Sequence, residues 1–93
     1  MRELVVIFNP DKISATRLER LVKKHAKEPF DLIETDPATG GQQAASAAAD
    51  RGANRILVAG GDGTLRNVVQ ATDGLAVHIG IIPIGTGNIL ARN

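Results

Sequence analysis

The segments Gly60-Gly61-Asp62-Gly63-Thr64 and Gly85-Thr86-Gly87-Asn88 decide how this chain folds. Each follows an apolar run that is typical of a β-strand, and each leads into residues that favour a helix. A strand that ends at glycines and continues as a helix leaves backbone N–H groups unpaired at the positive end of the helix dipole, where phosphate binds well. Two such turns in 93 residues predict two loops that face one polyanionic ligand.

Outward from these loops, apolar runs alternate with segments of helical periodicity. The pattern predicts strands at 4–8, 30–35, 55–59 and 77–82, and helices at 14–27, from the region 36–39 to 51, and at 64–72. Short connections between such elements indicate a parallel sheet with right-handed crossovers and helices on both faces. We therefore predict a three-layer α/β/α fold with about four parallel strands.

Capping residues define the predicted ends of these helices. Ser14 is expected to be the N-cap of the first helix, and Gly52 should adopt the left-handed conformation that ends the second. Either Asp36 or Thr39 is expected to cap the start of the second helix, and Thr64 the start of the third.

The composition excludes several classes of protein. The chain has no cysteine, so it has neither a disulfide framework nor a thiolate metal site. Its net charge of +1 argues neither for nor against binding to nucleic acid, but its two aromatic residues are too few for a base-stacking surface. The apolar run at 4–8 is too short for a signal peptide or a membrane span, so we expect a cytoplasmic protein.

Polar residues follow the predicted strands on one edge of the sheet. In parallel α/β sheets, ligands bind beyond the carboxyl ends of the strands, at a topological switch point. Asn9, Thr35, the 60–64 loop and the 85–88 loop all fall there. Asn9 either contacts the ligand or forms an Asx-turn, and Thr35 is either a ligand contact or an ordinary strand residue or cap.

Asp62 places a carboxylate between glycines that are suited to phosphate. A negative charge there repels phosphate unless a cation intervenes, so we expect Asp62 to hold Mg²⁺, directly or through water, or to accept a proton from an attacking hydroxyl. Thr64 is expected to donate its hydroxyl to a phosphate oxygen. The motif of P-loop NTPases is absent, and no glycine fingerprint of dinucleotide-binding folds follows the first strand.

The stretches at 58–64 and 82–92 closely resemble the catalytic domain shared by diacylglycerol kinases, sphingosine kinases and bacterial lipid kinases. Asn9-Pro10 and Thr35 also match this pattern. The Gly-Gly-Asp-Gly-Thr motif is shared with NAD kinases and is similar to one in phosphofructokinases, whereas Gly-Thr-Gly-Asn followed by Ala-Arg is typical of the lipid kinases. The resemblance covers essentially the whole chain.

This resemblance implies transfer of phosphate from ATP to a lipid with Mg²⁺, and an N-terminal domain of the kind found in NAD kinases and phosphofructokinases. It implies a catalytic and metal-binding role for Asp62. It assigns nucleotide binding to Asn9, Thr35, Gly60, Gly61, Gly63, Thr64, Gly85, Thr86, Gly87 and Asn88. It also implies a β-rich domain after residue 93 that binds the acceptor, so that residues 1–93 alone are not expected to turn over.

Two departures from the family pattern leave alternatives open. Leu65-Arg66-Asn67-Val68 stands where many members have Leu-Asn-Glu-Val, and the glycine often found after Asn9-Pro10 is absent. The change at Arg66 and Asn67 leaves a nucleotide-binding module without turnover as one alternative, and the shared first motif leaves an NAD-kinase-type enzyme as another. The oligomeric state also stays open, and a homo-oligomer is one alternative.

The predicted first helix carries a row of basic residues. Arg17, Arg20, Lys24 and Lys27 fall along it. They form either a solvated face or a peripheral contact with the anionic inner face of a membrane.

Overall fold

Strands and helices alternate along the chain, as the apolar pattern predicts. The computed structural model describes residues 3–84, and the second glycine loop at 85–88 lies outside these described residues. The elements are β1 (Leu4–Phe8), α1 (Ala15–His25), β2 (Asp31–Glu34), α2 (Gln42–Asp50), β3 (Arg55–Ala59), α3 (Asp62–Ala71) and β4 (His78–Ile81).

The four strands form one parallel sheet in the order β2-β1-β3-β4. Strand β1 lies inside the sheet and all five of its residues are buried, which explains its continuous apolar sequence. Phe8, the last residue of β1, is in register with Glu34 at the end of β2 and with Ala59 at the end of β3. The carboxyl ends of these three strands are therefore level at one edge.

Helices cover both faces of the sheet, so the three-layer prediction is confirmed. Alternate residues of β1 enter opposite cores: Val5 and Ile7 pack with the alanines of α2 and with Val68 of α3. Val6 and Phe8 instead pack with the residues that α1 buries. Alanine side chains are short, so they let α2 lie close to the sheet and to α3.

The order of the strands creates a switch point between β1 and β3. The chain passes from β1 to β2 on one side, and then returns to β3 on the other side of β1. Right-handed crossovers in opposite directions place α1 and α2 on opposite faces. The helices consequently diverge above the carboxyl ends of β1 and β3, which is where α/β sheets bind ligands.

Two of the predicted helix ends are confirmed. Ser14 is the N-cap of α1, and its hydroxyl accepts a hydrogen bond from the backbone N–H of Arg17 at 3.2 Å. Gly52 follows the end of α2 with a φ of 102°, which is the left-handed conformation expected of a C-terminal glycine.

The predicted starts of α2 and α3 were wrong. Gly41, rather than Asp36 or Thr39, is the N-cap of α2, and its φ of 109° is one that a side chain disfavours. Helix α3 begins at Asp62, so its N-cap is Gly61 and Thr64 already lies inside the first turn. A sequence reading treats glycines as breakers, but Gly63 has no positive φ and continues the helix.

Candidate active site

Backbone hydrogen bonds bring the ends of β1, β2 and β3 together. The N–H of Thr35, just after β2, donates to the carbonyl of Phe8 at 2.9 Å. The N–H of Asn9, just after β1, donates to the carbonyl of Ala59 at 3.1 Å. Three of the predicted site segments, at Asn9, Thr35 and Gly60, therefore lie at one edge of the sheet.

The first turn of α3 opens this edge to solvent. Gly61, Asp62 and Gly63 are all exposed. The first N–H groups of a helix have no partner within the helix. Gly61, as N-cap, has no side chain to occupy them. Asp62 is the acidic residue of this turn, where a negative charge interacts favourably with the helix dipole. The turn therefore presents backbone donors beside one carboxylate.

The glycines of this loop serve two different purposes. A Cβ at Gly60 would lie 3.1 Å from both the Cβ and the Oγ1 of Thr64, so glycine at 60 lets β3 and α3 meet closely. A Cβ at Gly61 or Gly63 would meet no other group within 4 Å in the described part of the chain. Packing thus favours glycine at 60, while no described residue fills the space beside Gly61 and Gly63.

Thr64 is largely buried, and its contact with a phosphate stays a prediction. Only 8% of its surface is exposed. Its methyl group points toward the start of α2, where a Cβ at Gly41 would lie 3.5 Å from Thr64 Cγ2 and 3.4 Å from Thr35 Cγ2. Thr35 and Thr64, predicted separately, are therefore neighbours across the loop between β2 and α2.

Sequence reasoning missed the pair Gly40-Gly41 in that loop. Both residues have positive φ, 62° and 109° respectively, and α2 begins immediately after them. The signal was present in the sequence, because a glycine pair between a predicted strand and a predicted helix is the pattern used for the 60–64 loop. Asp36 and Thr39 precede this pair and are better side-chain caps than glycine, so the sequence predicts the N-cap of α2 at one of them.

Asn9 forms the Asx-turn that was one of its two predicted roles. Its Oδ1 accepts a hydrogen bond from the N–H of Asp11 at 2.9 Å, and its carbonyl accepts from the N–H of Lys12 at 2.9 Å. This turn ends β1 and directs the chain toward α1. Contact of Asn9 with a ligand stays a prediction.

Asp36 organises the loop between β2 and α2. Its carboxylate accepts hydrogen bonds from the backbone N–H of Thr39 at 2.7 Å and from the Thr39 hydroxyl at 2.9 Å. These bonds, the backbone one first, lower the pKa of Asp36 below its ordinary value. The Thr39 hydroxyl in turn accepts from the N–H of Gln43 at 3.2 Å, so Thr39 satisfies a donor of α2 without being its N-cap.

Asp36→Ala removes both of these hydrogen bonds, and we expect it to lower the Tm by a few degrees at neutral pH. Because the pKa of Asp36 is lowered in the folded protein, its stabilising contribution is complete above the unfolded pKa of about 3.9. The contribution is lost as pH falls through the folded pKa. Thermal unfolding followed by circular dichroism should show the wild-type and variant Tm values converging below about pH 4.

A constant Tm difference across this acid range would contradict the assigned role of the carboxylate. Asp36→Asn is the matched control, because it keeps one acceptor oxygen but has no titrating group. The Tm of Asp36→Asn should lie between those of the wild type and Asp36→Ala at neutral pH.

Asp62 is the carboxylate available for a cation at the first turn of α3. The part of the chain that the structure describes contains no cluster of three or more His, Cys, Asp or Glu side chains. Mg²⁺ is commonly held by one or two carboxylates together with phosphate oxygens and water. A single exposed Asp62 beside backbone donors fits that mode, in which the nucleotide supplies the other ligands.

The predicted row of basic residues is on the exposed surface of α1, except for Lys27, which lies beyond the end of this helix at His25. Arg17, Arg20, Lys24 and Lys27 are all exposed. The first three also border a groove of about 730 Å³ between α1 and the end of β4, whose floor is mainly apolar. Within residues 3–84, none of the helices combines the length and the apolar character needed to cross a membrane.

The predicted site residues Gly85, Thr86, Gly87 and Asn88 lie outside the described residues. Their nucleotide-binding role stays a prediction.

The strand order and the glycine-rich switch point define a doubly wound parallel α/β domain. Comparison with known proteins identifies the particular family. The family model of the diacylglycerol kinase catalytic domain matches residues 3–93. The chain therefore belongs to the diacylglycerol kinase catalytic domain family.

Individual relatives agree with this assignment. A putative lipid kinase of Streptococcus pneumoniae is 34% identical over 100 residues, which cover 99% of this chain and 34% of the relative. Diacylglycerol kinase 1 of Drosophila melanogaster is 33% identical over 98 residues, covering 96% of this chain and 8% of the relative. A diacylglycerol kinase of Mycobacterium tuberculosis is 45% identical over 47 residues, which cover 50% of this chain and 15% of the relative. The chain thus spans about a third or less of the length of these relatives.

Proposed function

We propose that residues 1–93 form the nucleotide-binding part of an ATP-dependent lipid kinase, which transfers the γ-phosphate of ATP to a lipid hydroxyl. The observation that carries this proposal is the first turn of α3. Exposed backbone donors and the single carboxylate of Asp62 lie there beside the switch point of the sheet. Membership of the diacylglycerol kinase catalytic domain family supports phosphoryl transfer, and the names of the relatives favour a lipid acceptor over NAD.

The glycines and backbone donors of α3 bind and orient the phosphates in this proposal. Gly61 and Gly63 leave room for a phosphate to approach the N–H groups of the first turn. Asn9 and Thr35, tied to the same edge by backbone hydrogen bonds, and the second loop at 85–88 contribute further contacts to the nucleotide. In-line transfer depends on such positioning more than on covalent chemistry by the protein.

Asp62 performs the central electrostatic role. Its carboxylate would hold Mg²⁺, directly or through water, beside the backbone donors of α3. The chemistry supplied by such a bound cation would be neutralisation of the negative charge that develops during phosphoryl transfer. The other role compatible with its exposed position is acceptance of the proton from the attacking hydroxyl.

The acceptor is expected to bind to a β-rich domain that follows residue 93. The exposed cations Arg17, Arg20 and Lys24 of α1, with Lys27 just beyond its end, are suited to an anionic membrane surface, where each adds about 1 kcal/mol of attraction. We therefore propose a cytoplasmic protein that contacts the inner membrane face peripherally.

The site is tested by titrating the chain with ATP–Mg²⁺ and monitoring the chemical shifts of its backbone amides. The largest changes are expected at Gly61, Asp62 and Gly63, with smaller ones at Asn9 and Thr35. Shifts confined to the other edge of the sheet, or no shifts at millimolar nucleotide, would refute the site. Assays of the protein as its gene encodes it, with diacylglycerol and NAD as competing acceptors, test the reaction.

A second candidate is a nucleotide-binding module without turnover. It is favoured by Asn67, which lies where many family members have Glu and whose side-chain amide is engaged with the backbone of Gly40. Tight ATP binding by the encoded protein, with no transfer to any lipid or to NAD, would support this candidate over the first.

A further inference from the structure

Asn67 connects α3 to the loop between β2 and α2. Its Nδ2 donates a hydrogen bond of 3.0 Å to the carbonyl of Gly40 in a partly buried position. A Cβ at Gly40 would lie 2.4 Å from this Nδ2, so the close approach requires glycine at 40. The φ of 62° at Gly40 also favours glycine.

The loop held in this way packs on the threonines of the candidate site. Gly41, next to Gly40, lies against the methyl groups of Thr35 and Thr64. Thr35 is tied to the end of β1, and Thr64 lies one turn before Asn67 in α3. Asn67, Gly40 and Gly41 thus join the residues after β2 to the helix that presents Asp62.

The contact depends on the chemistry of the amide. A backbone carbonyl only accepts hydrogen bonds, and an ionised carboxylate also only accepts, whereas the Asn Nδ2 donates. An acidic residue at 67 would therefore repel the Gly40 carbonyl.

We propose that Asn67 is a positioning residue, which fixes the loop at Gly40 and Gly41 against α3 and so sets the distance between Thr35 and the phosphate-binding turn. It acts through the loop and does not touch the nucleotide. This inference rests on the proposed function, because its consequence is the affinity of the site for ATP.

Asn67→Leu in the protein as its gene encodes it tests the inference. Loss of one neutral hydrogen bond is expected to raise the KM for ATP roughly fivefold to tenfold, with kcat changed less than twofold. Hydrogen exchange at the N–H groups of Gly40 and Gln42, which donate to backbone carbonyls of this loop, should become faster. Gly40→Ala is a second variant for the case that Asn67→Leu folds poorly. Its Cβ would displace the Asn67 amide from the Gly40 carbonyl, so it should also raise the KM for ATP.

Gln70→Leu is the matched control. Gln70 accepts a hydrogen bond of 3.0 Å from Gln42 Nε2, which is also a link between α2 and α3, but it lies one turn further from the Gly40 carbonyl along α3. Its KM for ATP should be that of the wild type. A wild-type KM in both Asn67→Leu and Gly40→Ala, or an equal rise in Gln70→Leu, would overturn the positioning role. If the wild-type protein itself binds no ATP–Mg²⁺, the proposed function fails and the inference fails with it.

Discussion

Asp62→Asn is expected to lower the kcat of phosphoryl transfer by about 10³-fold or more in the protein as its gene encodes it. The asparagine keeps the size of the side chain but carries no charge for a cation and is not a base. Asp62 is exposed in the first turn of α3, so its replacement leaves no cavity. Stability should fall by only about 0.3–1 kcal/mol, the value of an acid at a helix N-terminus. Steady-state kinetics and thermal unfolding measure the two effects.

Asp73→Asn is the matched control for this experiment. Asp73 is exposed and lies just beyond the opposite end of α3, so the same chemical change is made on the same helix but far from the first turn. Its kcat should equal that of the wild type. Near-normal turnover of Asp62→Asn, with Asp73→Asn unchanged, would remove Asp62 from the mechanism.

The sequence predicts the sheet well because its strands are decided by local pattern. The five buried residues of β1 form a continuous apolar run, which is what a strand covered by helices on both faces requires. The half-buried β2 has a more polar sequence, and it lies at an edge of the sheet. Ser14 and Gly52 also act locally, through one hydrogen bond and one backbone conformation, and their roles are confirmed.

The starts of α2 and α3 were mispredicted because tertiary packing decides them. Gly41 takes a left-handed conformation against the methyl groups of Thr35 and Thr64, and Thr64 belongs to a different helix that is distant in sequence. Thr64 packs on Gly60, so it is inside the helix and is not its cap. Capping preferences describe one residue and its own helix, and they carry no information about such contacts.

The same distinction applies to the candidate site. Alignment of the strand ends follows from a parallel sheet, so Asn9, Thr35 and the 60–64 loop were predictable as neighbours. The contact of Asn67 with Gly40 joins residues from two different crossovers, and no spacing in the sequence indicates it. Asn67 stands where many family members have Glu, so the sequence marks this position as unusual, but it does not indicate that the Gly40 carbonyl is the partner.

Gly63→Ala is expected to stabilise the fold and weaken nucleotide binding together. Gly63 lies in α3 with no positive φ, so alanine should raise the free energy of unfolding by about 0.4–1 kcal/mol through helix propensity and chain entropy. Its methyl group would occupy the open space beside the first-turn donors. A phosphate held there would be displaced, so the Kd for ATP–Mg²⁺ should rise at least about tenfold, which corresponds to about 1.4 kcal/mol. Chemical denaturation and calorimetric titration measure these two opposite effects.

Gly52→Ala is the control with the reverse outcome. A Cβ at Gly52 would also meet nothing within 4 Å among the described residues, but its φ of 102° is unfavourable for alanine. This variant should be less stable than the wild type and should bind ATP–Mg²⁺ with unchanged affinity, because Gly52 follows the end of α2, at the edge opposite the candidate site. Wild-type affinity in Gly63→Ala would mean that phosphate does not approach the first turn of α3. In that case the glycines at 61 and 63 would need another explanation, since packing among the described residues requires neither of them.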